Sequence, residues 1–427
     1  MSKLMIYGGR PLKGQVRVQG SKNSALPIIA AAMLTDEMCI IENCPDLSDI
    51  SAALEIIKSL GAEAEYDGHT AVIRAGNADG TVISEALMRR MRSSVLFLGT
   101  LLSRFGCACI SYPGGCALGL RPIDIHLDSM ERLGVKFAEE DGYIKAELKR
   151  LVPDTVTFMF PSVGATENIM LAAVRAKGTT YIKNAAREPE ICDLARFLNS
   201  CGADIKGAGE STIVIEGAEK LHGCEFSVMP DRIVTATYLA AAAVTGSELL
   251  VKDALSENLS SVLSSFEQAG CKFLCKNNEI YIKAPQRLKK METVRTMPYP
   301  GFPTDCQAII MAMAAVADGT TLITENIFES RFRHVGELNR MGADITVSGR
   351  TASVRGVETL YGAQVGATDL RGGMALVLAS LAAEGKSRID CVEYIDRGYE
   401  STETELKKIG ADIRRETDYV KDDAGRA

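Results

Sequence analysis

The sequence has no tryptophan, only four histidines, no surplus of positive charge and no apolar run long enough to cross a bilayer. Each absence narrows the field. A net charge of −7 argues against general binding to nucleic acid or to an anionic membrane, so an anionic substrate has to be drawn in by a local basic cleft. The apolar runs Tyr238 to Val244 and Met374 to Ala383 are too short for membrane insertion and read as buried helices. Residues Met1 to Arg10 lack the apolar core of a signal peptide, so a cytoplasmic protein is expected. With so few histidines, the lone Cys107-x-Cys109 pair reads as alternation along a strand, and no metal site is expected. The twelve cysteines are scattered through apolar segments, which fits reduced thiols rather than disulfides.

What is present is an ordinary globular composition, rich in helix formers and apolar residues, on a chain of 427 residues. That length suits about two to three domains, each with a full core. An internal repeat organises it. Gly61, Gly134, Gly202, Gly270, Gly342 and Gly410 are separated by 73, 68, 68, 72 and 68 positions, and each follows a short amphipathic helix. Each glycine fits the position where a left-handed residue ends a helix. Hairpin patterns follow, with turns at Asp67-Gly68, Asp141-Gly142, Asn277-Asn278 and Ser348-Gly349. Upstream in every unit lies a second, more apolar helix, expected at Ala25 to Leu34, Val95 to Phe105, Glu167 to Ala176, Val234 to Val244, Gln307 to Ala317 and Leu376 to Glu384. Six units of helix, strand, helix and hairpin group by threes into two lobes, with the seam expected near Leu221 to Arg232.

The entrances to the apolar helices carry charge against the local rule. Helix N-termini are positive ends and suit anions, yet Lys22, Arg92 and Arg371 place cations there, which points to a compensating ligand. Arg121, Arg187, Arg331 and Arg397 stand at the approaches to four of the shorter helices, and a planar fork suits bidentate contact with oxyanions. Asp231 and Asp369 suit helix capping and a functional role alike. Asp305 follows Tyr299-Pro300-Gly301-Phe302-Pro303-Thr304, whose prolines stiffen the backbone as a base facing a hydroxyl requires. His126 and His334 read as packing or hydrogen-bonding residues. The stretch Pro113-Gly114-Gly115-Cys116-Ala117-Leu118-Gly119-Leu120-Arg121 combines a permissive backbone with a thiol and a nearby cation that can tune it.

Together, Ser21 to Pro27, Pro113 to Cys116 with Arg121 to Asp124, Met229 to Arg232, Pro300 to Asp305, Ala367 to Arg371 and Ile395 to Glu400 closely resemble the enolpyruvyl transferases that act on UDP-N-acetylglucosamine at the first committed step of peptidoglycan synthesis. The likeness spans the chain up to about Asp412. It implies a two-lobed inside-out α/β barrel of six βαβαββ-like repeats, with 22–229 as the N-terminal lobe and 1–21 plus 230–427 as the C-terminal lobe. It implies that the 3-hydroxyl of the sugar attacks phosphoenolpyruvate and that phosphate leaves. No cofactor, a monomer or weak homo-oligomer, and small-molecule partners only are expected.

By the same resemblance Cys116 is the general acid and the thiol that the epoxide fosfomycin labels. Lys22, Arg121 and Arg397 hold the phosphate and carboxylate of phosphoenolpyruvate, and Asp305 faces the sugar hydroxyl. Asn23, Arg92, the run Arg121, Pro122, Ile123, Asp124 and Ile125, then Ser162, Val163, Gly164 and Ile327 match contacts to the nucleotide sugar. Arg331, Asp369, Leu370 and Arg371 match the opposite wall. Two lobes closing on the sugar would lower the Cys116 loop and exclude water. One departure is Phe160-Pro161, where some branches carry a lysine against the diphosphate. Two rivals stand: the sister enzyme that makes 5-enolpyruvylshikimate 3-phosphate, which does not use a loop cysteine, and a silent paralogue that binds UDP-sugars.

Overall fold

All six repeat glycines end a helix in the same way. Their φ values lie between 91° and 101°, a region that costs an L side chain about 1–2 kcal/mol. In each, the glycine N–H donates to the carbonyl three residues back, and the next N–H to the carbonyl five back, as in Gly61 to Lys58 and Ala62 to Ile57. This double bond pattern reverses the chain sharply into a strand. The computed structural model that shows it describes residues 2–114 and 123–417.

Each of the first five repeats runs buried helix, strand, shorter helix and two further antiparallel strands, as the periodicity predicts, and the sixth has one such strand, Asp412–Thr417, among the described residues. The buried helices are Lys22–Ala32, Phe97–Phe105 with the preceding 3-10 turn Arg92–Leu96, Val163–Ala173, Arg232–Val244, Gln307–Ala315 and Leu370–Ala382. The sixth starts six residues earlier than expected. Its first turn holds Gly372-Gly373, which weakens a helical reading, but Asp369 caps it by accepting from the N–H groups of Arg371 and Gly372 at 3.1 and 2.9 Å. Two-residue turns fall at Asp141-Gly142 and Asn277-Asn278 with positive φ throughout, as expected. The fifth turn is Gly349-Arg350 rather than Ser348-Gly349, because Ser348 pairs directly with Thr351.

Six sheets result among the described residues, five of four strands and one of three. Distant segments complete them. In the sixth repeat the strand Ser2–Tyr7 lies between Lys386–Asp390 and Asp412–Thr417, antiparallel to both, so the start of the chain supplies the place a hairpin partner fills elsewhere. Lys13–Arg17 likewise joins the sheet of the fourth repeat, parallel to Glu248–Lys252. Glu225–Ser227 joins that of the first, parallel to Met38–Glu42.

The chain divides into two compact units. The C-terminal unit holds the chain up to Val18, Arg232–Met297 and the chain from Gly301 onward. Within it the helices Arg232–Val244, Gln307–Ala315 and Leu370–Ala382 pack against one another and carry the core with residues such as Leu239, Ile309, Ile310 and Leu378, all fully buried. The N-terminal unit holds Gln19–Asp231 and the stretch Pro298–Pro300. Its helix Phe97–Phe105 packs on Val163–Ala173 and Lys22–Ala32. The first of those contacts is close because residue 99 is glycine: a Cβ there would stand 2.3 Å from the Asn168 carbonyl oxygen. No helix among the described residues is long and apolar enough to cross a membrane.

Candidate active site

The N-terminal unit presents its polar residues at the starts of its buried helices. Ser21 caps the first, its hydroxyl accepting from the Ser24 N–H at 3.4 Å, and Lys22 and Asn23 follow in the first turn. The Lys22 ammonium is buried and meets Asp49 of the helix Ser48–Ser59 at 3.2 Å, while its backbone N–H donates to Asp231 at 3.3 Å. The unfavourable cation at this helix start thus has a counter-charge within the protein, Asp49. An ammonium has three hydrogens, so the Asp49 contact leaves donors for an oxyanion. Ser162 caps the third buried helix by accepting from the Ala165 N–H at 3.3 Å, and Val163 and Gly164 form its first turn.

A buried amide ties three of these segments together. Asn168 accepts from the Gly99 N–H at 2.7 Å, which fixes its orientation and points its NH2 at the Val95 carbonyl, 2.9 Å away, and at His126 Nδ1, 3.0 Å away. His126 Nδ1 must then accept, so the ring proton sits on Nε2. The ring in turn underlies Gly164, where a Cβ would come within 3.2 Å of His126 Cε1. In this way the turn Arg92–Leu96, the segment Ile123, Asp124 and Ile125 at the start of the helix Asp124–Arg132, and Ser162 to Gly164 are held beside one another. His126 is thus a packing and hydrogen-bonding residue, as read from the sequence. Cys116, Arg121 and Pro122 lie outside the described residues.

Below that layer Glu167 is buried. Burial first, and then Glu190 and Glu188, push its carboxyl well above the usual range, so it stays protonated where an exposed glutamate ionises.

In the C-terminal unit Asp305 sits on the 3-10 turn Thr304–Cys306 and takes two guanidinium groups. Arg331 donates to one oxygen at 2.5 Å and Arg371 to the other at 3.3 Å. Both arginines are buried, at 3% and 5% side-chain exposure, and each meets this carboxylate, itself 29% exposed. Aromatic rings back them: Phe328 lies 5.5 Å from the Arg331 guanidinium, and Tyr399 lies 5.5 Å from that of Arg371. The Tyr399 hydroxyl is fixed at 2.9 Å from Thr237. Arg371 therefore has an intramolecular counter-charge, and Asp369 acts as the helix cap. Arg397 ends the 3-10 turn Val392–Arg397. The next residue, Gly398, lies so close to Leu370 that a Cβ would meet its Cδ1 at 2.7 Å, which brings Arg397 to the same helix start as Leu370 and Arg371. His334, read as a packing residue, is fully buried, and burial holds its pKa down to about 4.

Sequence reasoning missed Asp49, Asn168 and Glu325. Glu325 is fully buried and accepts from the hydroxyls of Thr296 and Thr304, both at 2.9 Å, and from the N–H groups of Ile327 and Phe328 at 2.8 and 3.0 Å. Its only trace in the sequence is a polar Glu325-Asn326 step after a strand pattern, which reads as an exposed turn. Among the described residues no group of three or more His, Cys, Asp or Glu is placed to hold a metal ion.

Two units of three repeats with capped, cation-bearing helix starts define the enolpyruvyl transferase class. The family model for EPSP synthase (3-phosphoshikimate 1-carboxyvinyltransferase) matches residues 6–406, and the chain belongs to that family. It is 49% identical to UDP-N-acetylglucosamine 1-carboxyvinyltransferase 2 of Caldanaerobacter subterraneus subsp. tengcongensis, covering 97% of this chain and 100% of that one. It is 46% identical to the UDP-N-acetylglucosamine 1-carboxyvinyltransferase of Myxococcus xanthus over 97% and 100% of the two chains. Among solved structures, the enolpyruvyl transferase NikO from Streptomyces tendae superposes with a TM-score of 0.88 at 29% identity, over 97% of this chain and 98% of that one. EPSP synthase from Acinetobacter baumannii, with a TM-score of 0.76 at 18% identity over 98% and 100%, shares the fold.

Proposed function

We propose that the protein transfers the enolpyruvyl group of phosphoenolpyruvate to the 3-hydroxyl of UDP-N-acetylglucosamine with release of phosphate, in the cytoplasm, at the entry to peptidoglycan synthesis. The observation that carries the reading is the Asp305 carboxylate clamped by Arg331 and Arg371, on a chain whose relatives of 46–49% identity over nearly their full length bear that enzyme's name.

Asp305 takes the proton of the sugar hydroxyl as its oxygen bonds to the middle carbon of phosphoenolpyruvate, and Cys116 delivers a proton to the methylene carbon. The resulting tetrahedral species returns a methyl proton to the Cys116 thiolate and expels phosphate, which leaves with the proton held by Asp305, so the double bond and both groups are restored. Lys22, Arg121 and Arg397 hold the phosphate and carboxylate, where fixed cations stabilise the charge that moves during addition and elimination. Arg331 and Arg371 fix the Asp305 oxygens so that they need not reorganise during proton transfer. Asn23, Arg92, Ile123 to Ile125, Ser162 to Gly164 and Ile327 receive the nucleotide sugar, and the capped start of the helix Val163–Ala173 offers free N–H groups to it.

The test is release of inorganic phosphate from phosphoenolpyruvate with UDP-N-acetylglucosamine or with shikimate 3-phosphate as acceptor. Turnover with the nucleotide sugar is expected. Turnover with shikimate 3-phosphate alone would assign the sister reaction, and turnover with neither would leave a binding protein.

A further inference from the structure

We infer that Glu325 is a positioning residue for the proposed transfer, setting Asp305 and Arg331 in place through Thr304 and through the Ile327–Phe328 backbone; this rests on the function proposed above. A carboxylate taken wholly out of water is costly unless donors surround it. Glu325 is 0% exposed and receives four hydrogen bonds, every one from a neutral donor. Their origin gives the role. Thr304 is bonded directly to Asp305 in the chain. Ile327 is a proposed sugar contact, and Phe328 carries the ring beside the Arg331 guanidinium. Thr296 precedes the segment that leads to Asp305, and its hydroxyl oxygen also accepts from the Asn326 N–H at 2.8 Å. One buried side chain thus joins the three backbone segments that converge on the Asp305–Arg331 pair.

The division of labour within the carboxylate is specific. One oxygen takes Thr296 and both backbone N–H groups, whereas the other takes Thr304. Thr304 is the first residue of its 3-10 turn, after Pro303 at the cap position, and its hydroxyl donates to Glu325. That bond fixes the rotation of the turn and with it the direction of the neighbouring Asp305 side chain. A misplacement of about 1 Å at a reacting group can cost about a hundredfold in rate.

Thr304→Val keeps the shape and removes this one hydroxyl; Thr304→Ser restores it. The full-length variants are assayed beside the parent for phosphate release with UDP-N-acetylglucosamine, with kcat and KM determined separately. Thr304→Val is expected to lower kcat between about tenfold and a hundredfold with KM for the sugar changed by less than about threefold, and Thr304→Ser to return kcat to within about threefold of the parent. Glu325→Gln retains an oxygen for Thr296 and the two N–H groups and turns its NH2 toward Thr304, whose hydroxyl can accept from it. It is expected to fold and to lose less kcat than Thr304→Val. A Thr304→Val enzyme with parental kcat, a Thr304→Ser enzyme as slow as the valine variant, or a loss confined to KM overturns the assignment. Should Thr304→Val not fold, Glu325→Gln slower than about a hundredfold below the parent overturns it as well, since that variant keeps the links. A parent that releases no phosphate with either acceptor overturns the reading on which the inference rests, and the two failures are distinct.

Discussion

Arg331 holds one oxygen of Asp305 at 2.5 Å while being itself almost fully buried, so the carboxylate is both an anchor for a desolvated cation and the group that meets the sugar hydroxyl in the proposed reaction. The two roles separate on substitution. Asp305→Asn keeps the shape but removes the negative charge that Arg331 and Arg371 meet here. A fall in kcat of at least about a hundredfold is expected, the usual worth of a placed base. A loss of about 1–3 kcal/mol of stability accompanies it, less than for a fully buried pair because Asp305 is partly exposed. Denaturant unfolding beside steady-state kinetics checks both.

Cys116→Ala is expected to abolish turnover, and Cys116→Asp, which keeps an acidic proton donor, to retain part of it. Fosfomycin is expected to add one equivalent of mass to the parent and none to the alanine variant. Intact-mass spectrometry locates the adduct; modification of another cysteine, or an active alanine variant, removes Cys116 from the mechanism.

Two buried groups give stability a pH dependence on opposite flanks. His334 has its folded pKa lowered to about 4, so its contribution is complete above the unfolded value of about 6.5 and is lost as pH falls through that interval, a few kcal/mol in all. Glu167 has its folded pKa raised, so its contribution is complete below the usual glutamate range and is lost as pH rises through the folded value. His334→Gln should flatten the plot of melting temperature against pH below the unfolded histidine value, and Glu167→Gln above the usual glutamate range. Unchanged slopes would mean that neither group is linked to folding.

Glycines in two C-terminal-unit helices should respond oppositely to alanine. At Gly373 a Cβ would stand 2.8 Å from Ile395 Cγ1 and 2.9 Å from Ala367 Cβ, so Gly373→Ala should cost about 1–3 kcal/mol and displace the turn that carries Arg397, raising KM for phosphoenolpyruvate. At Gly336, in the helix Val335–Arg340, nothing lies within 4 Å, and alanine should add about 0.5–1 kcal/mol. Melting curves of the two variants decide it.

The repeat was legible because it is written in local chemistry. A glycine that must take positive φ past a helix leaves the same mark at Gly61 and at Gly410, whatever surrounds it. The buried helices were legible by their apolar continuity, although Gly372-Gly373 hid the true start of the last one. Lys22 and Arg371 stood out as cations set against local preference and Asp305 by its proline-stiffened approach, and the structure gives each a charged partner. Which partner was not legible. Asp49 lies 27 positions from Lys22, and Arg371 lies 66 from Asp305. No pattern within a single element encodes such a pairing.

The sequence by itself determined the six repeats, their helix ends and the residues that break local rules, because each depends on backbone and side-chain preferences acting within a few positions. Only the tertiary structure decided that Ser2–Tyr7 completes the last sheet, that Asn168 locks three helix starts together, and that a glutamate resembling an exposed turn residue lies buried among four donors. Those outcomes depend on which distant segments exclude water from one another, and burial of that kind is a property of the packed chain as a whole.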